Sequence, residues 1–381
     1  SPFTLFDSSH RFQDNGLWAT STSTGGAAVF DSTAGAVDLN VTSSTNSSVL
    51  RETLKVFSYQ PGKSLLVLNT FVLSPAQTGL RQRVGYFGTS NGYYLELNNS
   101  TLSFVERSLE HGTSSVSKSD WNVDRLDGSG PSGFTLDPTK AQILWFDFEW
   151  LGVGTVRAGF VINGQFVTCH KFHHANLLAS TYITTASLPL RYEITNVSGA
   201  ASSATLTQIC SSVISEGGYT LTGSPKVVQT AIGSPYSLAN SATYYPIVSV
   251  RLKSTKRDAV VIPTGLSFLP ADTGHFNWKI VSGGTTSNGT WVDLGSDSAV
   301  EYNITGSSLS GGTTLAAGFL SQSNQSSPNL SLSKDALFKF QLERNSFTPA
   351  SIETTLLVAA KTVGGGGTPV FGSLDLEEVT R

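Results

Sequence analysis

Apolar and polar positions alternate in short bursts along this chain instead of recurring every three or four residues. Leu65-Leu66-Val67-Leu68-Asn69-Thr70-Phe71-Val72 is an apolar, β-branched run bounded by Pro61-Gly62 and Pro75, which predicts a strand. Arg83 to Phe87 and Tyr93 to Leu97 flank the turn pair Asn91-Gly92, which predicts a hairpin. Gln142 to Trp150, Thr155 to Ile162 and Gln165 to His170 form a further set, the last two joined by Asn163-Gly164. Within it Val156, Ala158 and Phe160 alternate with Arg157, Gly159 and Val161, the pattern of a sheet with one covered face. Helical periodicity reaches only a turn or two, at Ala175 to Ser180 and at Ser333 to Phe338. Turn residues every eight to twelve positions complete the picture of an all-β chain of sandwich type.

From Ser215 to Asn240 the chain becomes rich in Gly, Ser, Thr and Pro, and a new strand series starts at Tyr244. This shift divides the 381 residues near position 220, into domains 1–218 and 219–381. Four consecutive glycines at 364–367 predict a sharp bend or a flexible tail from Val363. No period of 20 to 50 residues repeats, which argues against a propeller or solenoid.

Hydrophobic residues make up 39%, enough for full-sized cores, while charged residues make up only 13%, about half the usual share. A surface of hydroxyls and amides suits secreted or particle-bound β-proteins and is poor material for exposed helices. The formal net charge is −3 with no cluster of Lys or Arg, so the several phosphate contacts of a nucleic-acid binder are not provided for. No apolar stretch is long enough for a membrane-spanning helix. No signal-peptide pattern opens the chain; Ser1 is compatible with removal of an initiator Met, and no Met occurs elsewhere. Two cysteines, Cys169 and Cys210, are too few for a disulfide framework; one bridge or two buried thiols are both open.

Several segments resemble uncharacterised virion structural proteins of cyanophages and large algal DNA viruses. They are Arg51-Glu52-Thr53, Tyr59-Gln60-Pro61-Gly62-Lys63-Ser64, Gln82-Arg83-Val84-Gly85-Tyr86-Phe87 and Trp121-Asn122-Val123-Asp124. Residues 150–160, 170–176 and 188–194 complete the pattern, which spans roughly residues 1–218. The resemblance implies presence in a particle without naming head, tail or fibre. The strand pattern itself suggests a jelly-roll or concanavalin-like sandwich for the first domain.

Asp147 and Glu149 lie two apart in Trp145-Phe146-Asp147-Phe148-Glu149-Trp150, so a continuous strand would place both carboxylates on one face. Such a pair resembles the acid and nucleophile of glycosidases on concanavalin-like sandwiches. The competing expectation is a solvated or arginine-paired acidic face. His170, His173 and His174 form the one histidine cluster, beside Cys169; a metal site and a structural cluster are the alternatives. Arg157, Arg191 and Glu193 sit beside large apolar residues, and half-buried arginines there need carboxylates, for which Glu149 and Glu193 are the expected partners. Gly152-Val153-Gly154 and Pro61-Gly62-Lys63-Ser64 are too short to be phosphate loops. Tyr86, Phe87, Tyr93 and Tyr94 would suit sugar stacking if exposed and core packing if not. Asn-x-Ser/Thr occurs at Asn40, Asn46, Asn99, Asn196, Asn288 and Asn303, matches expected by chance in so Asn-, Ser- and Thr-rich a chain.

The reading is two β-sandwich domains, no catalytic, cofactor or metal site, and a structural role on a virion surface as capsid decoration, tail, neck or fibre. Expected partners are other virion proteins and further copies of the chain, with a host-surface glycan as ligand in the adhesin alternative. The second alternative is a glycosidase working through Asp147 and Glu149.

Overall fold

Alternation along the sequence becomes alternation in burial: Leu65, Val67, Asn69 and Phe71 are buried while the residues between them are half-buried. The computed structural model describes residues 1–240, 242–322, 329–331, 337–348, 351–359 and 367–380. The chain separates into two units, Ser1–Thr220 and Leu221–Arg381.

In chain order the strands of the first unit are β1 (Phe3–Ser9), β2 (Trp18–Ser23), β3 (Ala27–Asp31), β4 (Ala36–Val41), β5 (Ser47–Thr53), β6 (Leu65–Val72), β7 (Leu80–Phe87), β8 (Gly92–Asn98), β9 (Thr101–Ser108), β10 (Gly112–Ser117), β11 (Gln142–Phe148), β12 (Val156–Ile162), β13 (Gln165–Phe172), β14 (Leu190–Asn196) and β15 (Ala204–Ser215). They form two antiparallel sheets. The eight-stranded sheet runs β13-β12-β11-β6-β15-β4-β3, with β1 also on β15; the seven-stranded sheet runs β10-β9-β8-β7-β14-β5-β2. The sheets share one core, in which Phe71, Tyr86, Phe104, Phe146, Phe160 and Tyr192 are fully buried. This is the jelly-roll or concanavalin-like sandwich that the strand pattern predicted.

Both expected hairpins form, by different turns. Ile162 faces Gln165 across Asn163 and Gly164, whose φ angles of 51° and 75° are those of a two-residue hairpin turn. In the other, Phe87 faces Gly92, so the turn is Gly88 to Asn91, closed by the Gly88 N–H on the Asn91 carbonyl. Gly92 is the first strand residue, with φ at 131°, where a Cβ would lie 2.3 Å from the Phe87 Cα. Ala175 to Ser180 makes no helix; the Leu177 and Leu178 N–H groups both bond the His174 carbonyl in a turn.

The second unit contains β16 (Ser224–Gln229), β17 (Tyr236–Leu238), β18 (Tyr244–Leu252), β19 (Val260–Pro270), β20 (Gly274–Ser287), β21 (Val292–Asp293), β22 (Val300–Asn303), β23 (Ser308–Gln322), β24 (Asn329–Ser331), β25 (Glu353–Ala359) and β26 (Thr368–Thr380). One sheet runs β16-β26-β19-β24 with β17 also on β26; the other runs β21-β22-β18-β25-β20-β23. Ile247, Val250, Phe268, Phe276, Val370 and Leu376 belong to their common core. Of the expected helix at Ser333 to Phe338, residues 333–336 lie outside the described residues, and a short 3-10 turn covers Leu337–Phe340. The tail expected to bend from Val363 lies outside them as far as residue 366.

Phe146 sits in the first core with its ring 6.0 Å from Phe104 and 6.4 Å from Tyr93. Phe146→Ala is expected to destabilise the first unit by about 3–5 kcal/mol. A denaturant midpoint equal to wild type would overturn this placement.

Candidate functional site

Because β5, β7, β8, β9 and β14 each give alternate residues to the core, their remaining residues line the opposite face of the seven-stranded sheet. Arg83 lies across from Glu96 on one side and Glu193 on the other, and Arg191 across from Glu52. The register places the guanidinium of Arg83 beside two carboxylates and that of Arg191 beside one. Arg83 Nε is 2.6 Å from Glu96 Oε2 and its Nη1 is 3.2 Å from Glu193 Oε2. Arg191 Nε is 2.7 Å from Glu193 Oε1 and its Nη1 is 3.0 Å from Glu52 Oε2. The result is one continuous chain of ion pairs, Glu96-Arg83-Glu193-Arg191-Glu52, across four strands.

The rest of this face is aromatic floor and arginine roof. Phe87 and Tyr94 pack with ring centroids 4.4 Å apart and planes tilted by 38° and, with Val105, form a small cluster of their own. Arg83 lies 5.1 Å over Tyr94, Arg191 lies 5.6 Å over Phe87, and Arg107 covers both. Gly85 must be bare, since a Cβ there would come 2.6 Å from the Tyr94 Cα. Arg107 bonds the Gly88 and Thr89 carbonyls and the Tyr94 hydroxyl. Phe87 and Tyr94 are therefore covered, Tyr86 and Tyr93 lie in the main core, and none of the four offers an exposed stacking surface.

A second polar cluster lies inside the sandwich. His174 Nδ1 is 2.5 Å from the Gly154 carbonyl, which can only accept, so Nδ1 donates there. Its Nε2 is 2.8 Å from Glu106 Oε2, and that oxygen accepts from the Tyr93 hydroxyl. The imidazole stacks on Tyr182 at 3.9 Å and 11°. Burial, then the Glu106 carboxylate, push the Tyr93 phenol well above its ordinary pKa; burial does the same to Tyr182.

The histidines separate as the strand ends. His170 is buried on β13, its Nδ1 accepting from the Asn122 N–H at 3.3 Å and its ring edge-on to Phe172. His173 is exposed beyond the strand, and His174 turns inward. Among the described residues no group of three or more His, Cys, Asp or Glu is placed to hold a metal. Cys169 is buried and Cys210 exposed, and both are free thiols, so the reading of two buried thiols holds for one only.

Asp147 and Glu149 do not share a strand face, because β11 ends at Phe148 and leaves Glu149 exposed past it. Asp147 is paired with Arg157, its cross-strand neighbour, which corrects the expected Arg157 partner from Glu149 or Glu193. Glu193 instead serves Arg191 and Arg83. Burial raises the Asp147 pKa; Arg157 opposes this, and Glu216 and Glu149 add to it. Glu52, Glu96, Glu106 and Tyr182 were not singled out from sequence. For the three glutamates the only signal was a charge at period two in a strand, which does not reveal the cross-strand partner, and Tyr182 lies in the loop before β14, where no periodicity marks it. Two of the Asn-x-Ser/Thr matches, Asn196 and Asn303, are buried, with their amide nitrogens bonded to backbone carbonyls.

No family model and no curated protein matches the chain. Solved structures similar to part of it include a carbohydrate esterase of the Shiga toxin-encoding bacteriophage phi24B, at 14% identity over 57% of this chain and 100% of that one, with a TM-score of 0.35. The Emp47p carbohydrate recognition domain is 12% identical over 56% of this chain and 97% of its own, with a TM-score of 0.35. The Bacillus licheniformis β-glucanase is 11% identical over 55% and 97%, with a TM-score of 0.36.

Burial, then the neighbouring His173, lower the His170 pKa from 6.5 to about 4. The unfolded chain therefore takes up this proton first as pH falls, so the contribution is complete above 6.5 and is lost towards about 4. The stability difference between wild type and His170→Gln is expected to shrink across that window. A difference independent of pH would overturn the assignment.

Proposed function

We propose that this chain is a non-catalytic structural protein of a virion surface, assembled in part through the edge strand β23. The observation that carries this reading is β23 itself. Its fifteen residues, SLSGGTTLAAGFLSQ, include no charged side chain and no proline. Among the described residues its ladder partner is β20 alone, and Phe319 is 82% exposed. Edge strands that remain free are usually guarded by charge, proline or brevity. A long unguarded edge suits a strand that is covered on assembly, by another copy of the chain or by a neighbouring particle protein. The resemblance of residues 1–218 to virion structural proteins supplies the setting.

The non-catalytic part rests on how the acidic groups are used. Asp147 is tied to Arg157, Glu52 and Glu193 to arginines, and Glu106 to His174 and Tyr93. A general acid or nucleophile needs a carboxylate free to meet substrate. A second reading, a glycan-binding adhesin on the same particle, is favoured by the ladder of donors and acceptors on the seven-stranded sheet.

Quantitative mass spectrometry of purified particles from the source is expected to find this chain in fixed proportion to the major capsid protein; its absence would overturn the virion reading. Phe319→Lys is expected to shift the sedimenting species towards monomer, and an unchanged distribution would remove β23 from assembly. Asp147→Asn and Glu149→Gln proteins are expected to match wild type on every polysaccharide tried. A hydrolysis lost in either variant would establish an enzyme instead.

A further inference from the structure

We propose that the outer face of the seven-stranded sheet binds an acidic polysaccharide, with Arg81 and Arg107 meeting its negative groups. This deepens the adhesin reading and rests on it. The face carries Arg81, Arg83, Arg107 and Arg191 against Glu52, Glu96 and Glu193. The three carboxylates are already shared between Arg83 and Arg191. Arg107 bonds only carbonyls and a hydroxyl. Arg81 lies two residues before Arg83 on β7 and hence on the same face. Among the described residues its side chain forms no ion pair and no hydrogen bond.

Keeping that cation is costly to the fold. Arg81 is half-buried, and burial, followed by the neighbouring Arg83, lowers its pKa, while Glu193 and Glu96 act in the opposite sense. Both carboxylates are engaged by Arg83 and Arg191 and, among the described residues, neither forms an ion pair with Arg81, which leaves that guanidinium open to an anion from outside. The layout restricts that anion. Arg81 and Phe87, the residue in register with Gly92 and Arg107, are six residues apart along the strand, roughly 20 Å at the backbone. An extended ligand with spaced charges can run along that strand and meet both arginines. Between them Glu96 and Glu193 offer acceptor oxygens, which suit sugar hydroxyls and would repel the dense phosphates of a nucleic acid. Sparse negative charge on a hydroxyl-rich chain describes a uronate-bearing or sulfated glycan.

The test is calorimetric titration of the full chain with alginate oligosaccharides, heparin-derived oligosaccharides and neutral cello-oligosaccharides of equal length. The acidic ligands are expected to bind, more weakly as salt rises, and the neutral ones not. Arg81→Gln is expected to weaken binding by about ten- to a hundredfold, the scale of one charge-assisted hydrogen bond, while melting at or above the wild-type temperature. Arg125→Gln, an exposed arginine elsewhere in the unit, is expected to change nothing. Equal binding of neutral and acidic oligosaccharides would overturn the charge requirement and keep the adhesin reading. Acidic binding unaffected by Arg81→Gln would overturn the site. No binding of any glycan would overturn both.

Discussion

A strand in an antiparallel sheet must show its two faces to two environments, and the rest of this molecule depends on how that is managed. In the first unit two sheets close over one aromatic core, so each sheet has only one face left for everything else. On the seven-stranded sheet that remaining face is not dilute surface polarity. It is a lattice in which cross-strand register sets Arg83 beside Glu96 and Glu193 and Arg191 beside Glu52, above two packed aromatics. Any one of these charges left alone there would be expensive. Held as a chain, each desolvated group has its counter-charge within hydrogen-bond distance.

The same constraint accounts for how Asp147 is paired. Asp147 projects from the outer face of the other sheet and is met by Arg157, since the register sets Arg157 on one side of it and the apolar Leu66 on the other. The interior His174, Glu106 and Tyr93 satisfy one another at the edge of the core. Buried polar clusters of this kind fix a unique arrangement of loop against strand, here residues 152–154 and 173–182 against β8 and β9. Chemistry on a substrate would need at least one of these groups to be released.

Where the pairing rule is incomplete, the molecule has something left over. Among the described residues Arg81 forms no ion pair, and β23 is bonded to β20 alone. Each is a valence of a different kind, one electrostatic and one of backbone hydrogen bonding, and each points outward from its unit. A protein that binds a charged polymer on one surface and a protein neighbour on another has use for both.

Sequence alone determined that the chain is all-β, that Val156, Ala158 and Phe160 face inward, and that Asn163-Gly164 closes a hairpin. Those properties follow from period two and local turn chemistry, which act within a few residues. It could not determine that Glu149 falls past the end of its strand, since where a strand stops depends on the neighbouring strand that bonds it. Nor could it pair Arg157 with Asp147, or link Glu96, Arg83, Glu193, Arg191 and Glu52, which lie up to 141 positions apart in the chain (from Glu52 to Glu193). Glu52 and Gln82-Arg83 stood in the segments that carried the family resemblance, yet their chemistry was unreadable there. Register between strands distant in sequence is set by the closure of the whole sandwich, and ion pairs exist only after that closure has been made.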